Sequence, residues 1–388
     1  MPRIYRRALI YMIGIALLMQ VPNAQGKPED EALRAYEQGL RFLFNQNGEK
    51  AFQAFQRAVS LDSALADAHY RMGLLYGLKS QWTLAIVALQ SAIDADENHV
   101  DAYCQLGEAY LIGIAQTKKA IPPLQKAITI QPDHARARRL LGSAYHRQNR
   151  LHDAGVEFQK AIEFDPSDAE AHYGLGLVSY EQKDYKTASR HFELVIKHQP
   201  LHAKAHFNLG MCYLRIGRVA EGRKTLRAFE QLNQETERID VLQSIVHRRP
   251  ENVDAWYQLG QLFIKRGEWN KAEEVFNTCI ESAPEAERAY EALAYIHLQQ
   301  DDYEKALKVY GTLVEHQPKA PEYWNSLGIV YVALEEYASA VAQFQQAIRL
   351  NPNEPNFHLN LSKAYQRRGE IVKAEAALQK YQRLKSRR

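Results

Sequence analysis

Three histidines at four-residue spacing, His198, His202 and His206, are the residues here that most suggest chemistry, since imidazoles on one helix face can converge on a metal ion. Pro200 falls between the first two and prevents all three from sharing a face. The histidines also recur periodically. His69, His172, His206 and His358 hold one slot that Trp256 and Trp324 fill in other segments, while His99, His134 and His202 close their own segments. No Gly-rich phosphate loop, nucleophile elbow or His-Glu-x-x-His run is present. Cys104, Cys212 and Cys279 are too few and too scattered for a disulfide framework. Cys279 takes the slot held elsewhere by Ala127 and Ala161 and reads as a small buried filler. The expectation is no catalytic residue, no metal and no cofactor.

Charge narrows the partners. The chain carries 49 Lys and Arg against 46 Asp and Glu. Arg3, Arg6 and Arg7 belong to the first 24 residues, which contain no acid, so the remainder balances at 46 and 46. A balanced surface offers no broad field for nucleic acid or anionic lipid.

The elements that position these residues follow from small residues in phase. Gly39/Ala51, Gly73/Ala85, Gly142/Ala154, Gly176/Ala188, Gly260/Ala272 and Gly328/Ala340 share one gap, and the pairs recur about every 34 residues. Three residues after the glycine comes an aromatic, as in Tyr76, Tyr145, Tyr213 and Phe263, and four after the alanine comes Phe55, Leu89, Phe158, Phe192 or Phe276. Steps of three and four on both sides predict two amphipathic helices per repeat. A glycine inside a helix costs roughly 1 kcal/mol against alanine, so its recurrence predicts a close crossing, with the glycine facing the alanine. Pro132, Pro166, Pro200, Pro250, Pro284, Pro318 and Pro352 then end their repeats.

The stretch from Asp254 through Ala255, Trp256, Tyr257, Gln258, Leu259 and Gly260, followed by Phe263, Gly267, Trp269, Ala272, Phe276 and Pro284, resembles the tetratricopeptide repeat. Ten such repeats cover residues 32–388. The resemblance implies an all-α fold, a right-handed superhelical solenoid of antiparallel helix pairs that holds peptides or protein segments in a concave groove. It further implies that residues six and three before the glycine, and one and four after it, line that groove. Those slots give Tyr70, Leu74, Glu108, Arg136, Arg139, Tyr173, Leu177, Tyr180, Phe207, Met211, Tyr257 and Tyr295, with Arg147 completing a central basic band. One reading of the band is an anchor for an acidic group of a partner. The other is that Glu108 and Glu170 neutralise the arginines across adjacent repeats.

Two places depart from the period. The third repeat has one added residue near Ile112-Gly113-Ile114 and a Pro122-Pro123 pair, which predicts a late start for its second helix. From Gly210 to Gly260 the step is 50 residues. The surplus is either a lone extra helix at 235–252 or part of one long helix of ~28 residues.

Arg3, Arg6 and Arg7, the uncharged run Ala8–Val21 and the exit Pro22-Asn23-Ala24 read as a secretory signal over 1–24, with an uncleaved anchor as the alternative. The expected organisation is then a linker at 25–31, six repeats at 32–234, the joint at 235–252 and four repeats at 253–388. The expected function is a non-enzymatic scaffold or adaptor, exported to a periplasmic or secreted location and supporting an envelope or secretion complex. The competing readings are a substrate-recruiting subunit of an enzyme and a membrane-anchored homo-oligomeric organiser.

Overall fold

The computed structural model describes residues 28–387, so the leader assigned to 1–24 lies outside the described residues. Among the described residues twenty α-helices follow one another in antiparallel pairs, and there is no strand. The first pairs are α1 (Pro28–Phe44) with α2 (Gly48–Leu61), α3 (Ala66–Leu78) with α4 (Trp82–Ala95), and α5 (Val100–Glu108) with α6 (Thr117–Ile130). Then come α7 (Ala135–Arg147) with α8 (Leu151–Phe164), α9 (Ala169–Glu181) with α10 (Tyr185–His198), and α11 (Ala203–Arg215) with the long α12 (Val219–Arg248). The remaining pairs are α13 (Val253–Lys265) with α14 (Trp269–Ser282), α15 (Glu287–Gln299) with α16 (Tyr303–His316), α17 (Pro321–Ala333) with α18 (Tyr337–Leu350), and α19 (Pro355–Arg367) with α20 (Ile371–Lys385). The chain divides between Leu226 and Arg227 into two compact bodies, each a stack of such pairs.

Where the slot holds a glycine it marks a close approach, but its nearest neighbour is the large side chain four after the second small residue, with the Ala85 carbonyl following at 3.4 Å for Gly73. A Cβ placed on Gly39 would sit 2.5 Å from the Phe55 ring, one on Gly176 2.7 Å from Phe192 and one on Gly328 2.6 Å from Phe344. The large residue four after the alanine fills the space a Cβ on the glycine would take, and Phe55, Phe158, Phe192, Phe276 and Phe344 are almost wholly enclosed. The alanines, Ala51, Ala85, Ala154 and Ala188 among them, are buried beside the same contact.

A second periodic contact ties each first helix to the end of the preceding repeat. Trp256 donates its indole N–H to the carbonyl of Pro250 at 2.8 Å, and Trp324 does the same to Pro318 at 2.9 Å. His172, His206 and His358 place Nε2 at 3.1, 2.8 and 2.9 Å from the carbonyls of Pro166, Pro200 and Pro352. Arg138 reaches Pro132 from Nε at 2.6 Å. Trp, His and Arg share the slot because each offers a ring or guanidinium N–H at the same reach.

The third repeat corrects the expected late helix start. The added residue is taken up by a π-helical turn, Ala109–Gly113, that continues α5, as single insertions into helices commonly are. Helix α6 begins at Thr117 with Pro122 and Pro123 inside it. The carbonyls left without an N–H partner belong to Lys118 and Lys119, both exposed, so water can satisfy them. The surplus after Gly210 forms no separate helix: residues 235–248 are the second half of α12, which runs unbroken for 30 residues.

Candidate functional site

The expected groove slots lie on the first helix of each pair, and in the N-terminal body that face is crossed by bonds between successive repeats. His99, His134 and His202 each stand immediately before a first helix and accept a backbone N–H at Nδ1, from Ala102, Ala137 and Ala205 at 3.3, 3.1 and 3.0 Å. This is an N-cap made by a neutral imidazole. The opposite nitrogen then faces an acid of the preceding first helix: His99 to Asp67 at 3.4 Å, His134 to Asp101 at 3.4 Å and His202 to Glu170 at 3.9 Å. The rings of Tyr70 and Tyr173 lie 4.9 and 4.7 Å from His99 and His202. Sequence reasoning identified these histidines as closing residues but missed their pairing with the acids. The recurrence of Asp67, Asp101 and Glu170 in one slot was the available signal.

The basic band is occupied from within the chain. Arg136 pairs with Glu108 and also donates to Gln105 at 3.1 Å. Arg139 Nε lies 3.0 Å from Asp168, the residue that also caps α9 by accepting from Ala171. Arg147 donates to the carbonyl of Leu111 at 2.6 Å, within the π-helical turn of the third repeat. Glu108 therefore neutralises Arg136 across adjacent repeats. Glu170, the other expected partner, turns to His202, and Asp168 takes Arg139 instead.

What remains on this face is largely apolar. Leu74 and Met211 are half-buried, and Leu177, Tyr173 and Tyr180 rest against the core around Phe192 and Cys212. Phe207 is 41% exposed. In the C-terminal body Tyr257 is half-buried with the Arg288 guanidinium 4.0 Å above its ring, and Tyr295 is 45% exposed.

The three cysteine thiols are shielded by burial. Cys104 is buried, and burial pushes its thiol up to about 12. Burial also raises Cys212 to about 12 and Cys279 to about 11, which keeps all three thiols protonated near neutral pH. Asp101 is held below the usual carboxylate range chiefly by its hydrogen bond from His134. Tyr70 is pushed up to about 12, first by burial and then by the Asp101 charge. Although Cys104, His134 and Asp101 come from neighbouring slots, both His134 nitrogens are engaged, so neither serves the thiol as a base. Among the described residues no group of three His, Cys, Asp or Glu side chains converges as a metal site. No described helix is long and apolar enough to cross a membrane.

Stacked helix pairs with one small-residue crossing per repeat define a helical-repeat protein. Profiles described as TPR repeat or tetratricopeptide repeat match residues 100–134, 142–183, 173–235, 239–287, 257–321, 293–359 and 355–380. The chain belongs to the tetratricopeptide repeat family. No curated protein matches it. Among solved structures it is similar to YrrB, described as a TPR protein with an unusual peptide-binding site, at 26% identity over 46% of this chain and 91% of that one, with a TM-score of 0.40. It is also similar to MamA from Desulfovibrio magneticus RS-1, at 27% identity over 46% of this chain and 99% of that one, with a TM-score of 0.41. PilF of Pseudomonas aeruginosa is 17% identical over 59% of this chain and 97% of that one, with a TM-score of 0.47.

Proposed function

We propose that the chain is a non-enzymatic scaffold or adaptor that holds a segment of a protein partner against the exposed face of its first helices. The observation that carries this reading is the apolar surface left on that face beside a central arginine band that is paired within the chain. Phe207, Tyr295 and Ile329 are 41, 45 and 44% exposed in slots that recur from repeat to repeat. Side chains of this type serve as anchors when a partner covers them. The buried thiols and the doubly engaged His134 speak against a catalytic role. The leader assigned to 1–24 supports export, and with it a place in assembling an envelope or secretion complex.

Photo-cross-linking from Phe207 and Tyr295 in the native cell, with mass spectrometry, tests the reading. Adducts to one protein that are absent when the probe sits at Val87, an exposed position on α4, are the expected result. Equal labelling from all three positions would remove the assignment of this face. Turnover of a substrate by the purified chain alone would replace the scaffold reading with an enzymatic one.

A further inference from the structure

Within the C-terminal body, the first helices α13, α15, α17 and α19 carry a graded surface. Tyr295 on α15 and Ile329 on α17 hold the same slot and are 45 and 44% exposed. Leu298 and Val332, one turn further along each helix, are half-buried beside them. The next residue in the Tyr295 and Ile329 slot is Lys363 on α19, with Arg367 one turn on. Both are exposed, and among the described residues neither has an ion-pair or hydrogen-bond partner. The helices lie side by side: Asn360 donates to Asn325 at 2.9 Å, and the Tyr323 hydroxyl donates to Glu291 at 2.7 Å.

At the other end of the apolar strip, α12 and α13 enclose an open cavity of about 480 Å³ lined by Arg238, Tyr257, Gln258, Gln261 and Lys265 among others. Arg238 donates to Gln258 at 2.5 Å and Lys265 pairs with Glu235 at 2.8 Å. Each bond leaves further N–H donors for a ligand, since a guanidinium carries five and an ammonium three. Of the nearby acids, Glu235 and Asp254 are ion-paired and Glu322 is distant, while Glu291, one turn before Tyr295, keeps its charge and disfavours an acid at the centre of the strip. Glu291 accepts from Tyr323, Asp254 pairs with Arg288 at 3.1 Å, and Glu322 stands about 10 Å along α17 from Ile329. An apolar strip with cations at both ends complements a ligand of the opposite pattern.

We infer that this face takes an extended protein segment with an apolar centre and acidic side chains at both ends. The inference rests on the groove reading above and adds charge and length to it. From α13 to α19 there are three helix-to-helix steps of about 9 Å each. At about 3.4 Å per residue, eight or nine residues of extended chain cover that span. The two acidic ends therefore stand about eight residues apart, one near Lys363 and Arg367 and the other over the Gln261 and Lys265 cavity.

The test uses the full chain and fluorescence anisotropy with three labelled ten-residue probes. One alternates Leu and Ser between paired acids, the second has paired lysines at its ends, and the third keeps the acids but has an all-Ser centre. The acid-ended apolar probe should bind about tenfold or more tighter than the other two, and rising salt should weaken it. Lys363→Glu with Arg367→Glu, both at exposed positions, should cost that probe about tenfold and improve the lysine-ended one. Equal binding of the acid- and lysine-ended probes overturns the charge assignment while leaving a peptide groove in place. Competition by a short oligothymidylate as effective as the apolar peptide makes the surface a general polyanion site and overturns it too. Absence of binding by every probe also overturns it, while cross-linking from Phe207 and Tyr295 separately decides the groove reading.

Discussion

His172 and His191 face each other through their Nδ1 atoms at 3.1 Å, across the interface of α9 and α10. His172 Nε2 meets the Pro166 carbonyl, an acceptor only, so that nitrogen carries the proton and leaves Nδ1 as a lone pair. The hydrogen between the rings therefore belongs to His191. Burial, reinforced by His172, lowers His191 to about 4 from an ordinary 6.5. Between those values the unfolded chain binds the extra proton and the folded chain does not. Stability is thus complete above pH 6.5 and falls as the pH drops towards 4. His297, lowered mainly by its burial, adds a slope of the same sign. We expect a loss on the order of 1–2 kcal/mol between pH 7 and 5. Urea midpoints across that range should show the slope reduced in His191→Gln, and an identical slope in the variant would refute the pairing.

Gly176 cannot grow without moving Phe192. An added Cβ would stand 2.7 Å from a ring that is wholly buried between the two helices. Gly176→Leu is expected to cost about 1–3 kcal/mol by overpacking and to expose amides of α9 and α10 first in hydrogen exchange. Gly155, whose Cβ would meet nothing nearer than 3.6 Å, is the matched control, and Gly155→Ala should leave stability unchanged or raise it. Equal loss in both variants would contradict the crossing argument.

The position of Gly176 was legible because periodicity reports that a small residue is needed. What it faces was not. The period is the same whether the ring of Phe192 or the methyl of Ala188 covers the glycine, and only three-dimensional packing places the ring there. Pro122 and Pro123 misled for a related reason. The local rule for proline is sound, but it does not show that Lys118 and Lys119 lie where water can replace the lost bonds. The groove slots themselves could be read from the resemblance. The partner of Arg139 could not, because Asp168 lies in the turn before α9, outside the slots that define the face.

The Trp256 to Pro250 bond sets a rule that can be tested by exchange. If the slot requires an N–H at that reach, Trp256→His should retain it, as His358 does at 2.9 Å, while Trp256→Phe should not. Loss of one such bond corresponds to about 1 kcal/mol. Phenylalanine preserves more apolar area than histidine, so a pure burial account predicts the reverse order of thermal midpoints. The midpoints of the two variants decide between the accounts.

Lys183 adopts φ +64° in the turn between α9 and α10, a left-handed conformation that Gly267 and Gly369 take in the equivalent turns of other repeats. A Cβ in this region costs roughly 1 kcal/mol, offset in part by the greater freedom glycine gives the unfolded chain. Lys183→Gly should therefore raise stability by about 0.5 kcal/mol, and Lys183→Val should lower it by more. A drop in melting temperature for the glycine variant would show that the lysine side chain contributes to the turn.

Charge reversal at the central band separates binding from folding only if the two arginines are treated differently. Arg139 lies 3.0 Å from Asp168, and that carboxylate also caps α9, so Arg139→Glu sets two acids against each other at a helix start. About 1–2 kcal/mol of stability should be lost with it, and any fall in partner capture would then be ambiguous. Arg139→Gln removes the charge without the repulsion and should cost less than about 1 kcal/mol. Arg136 is more exposed, and Arg136→Glu acts mainly on Glu108, whose side chain is 20% exposed. If the band attracts an acidic partner, Arg136→Glu and Arg139→Gln should each reduce cross-linking, measured well below their melting transitions, by more than their loss of stability explains. If the arginines serve only to neutralise Glu108 and Asp168, capture should follow stability and vanish as an effect once the variants are compared below their melting transitions.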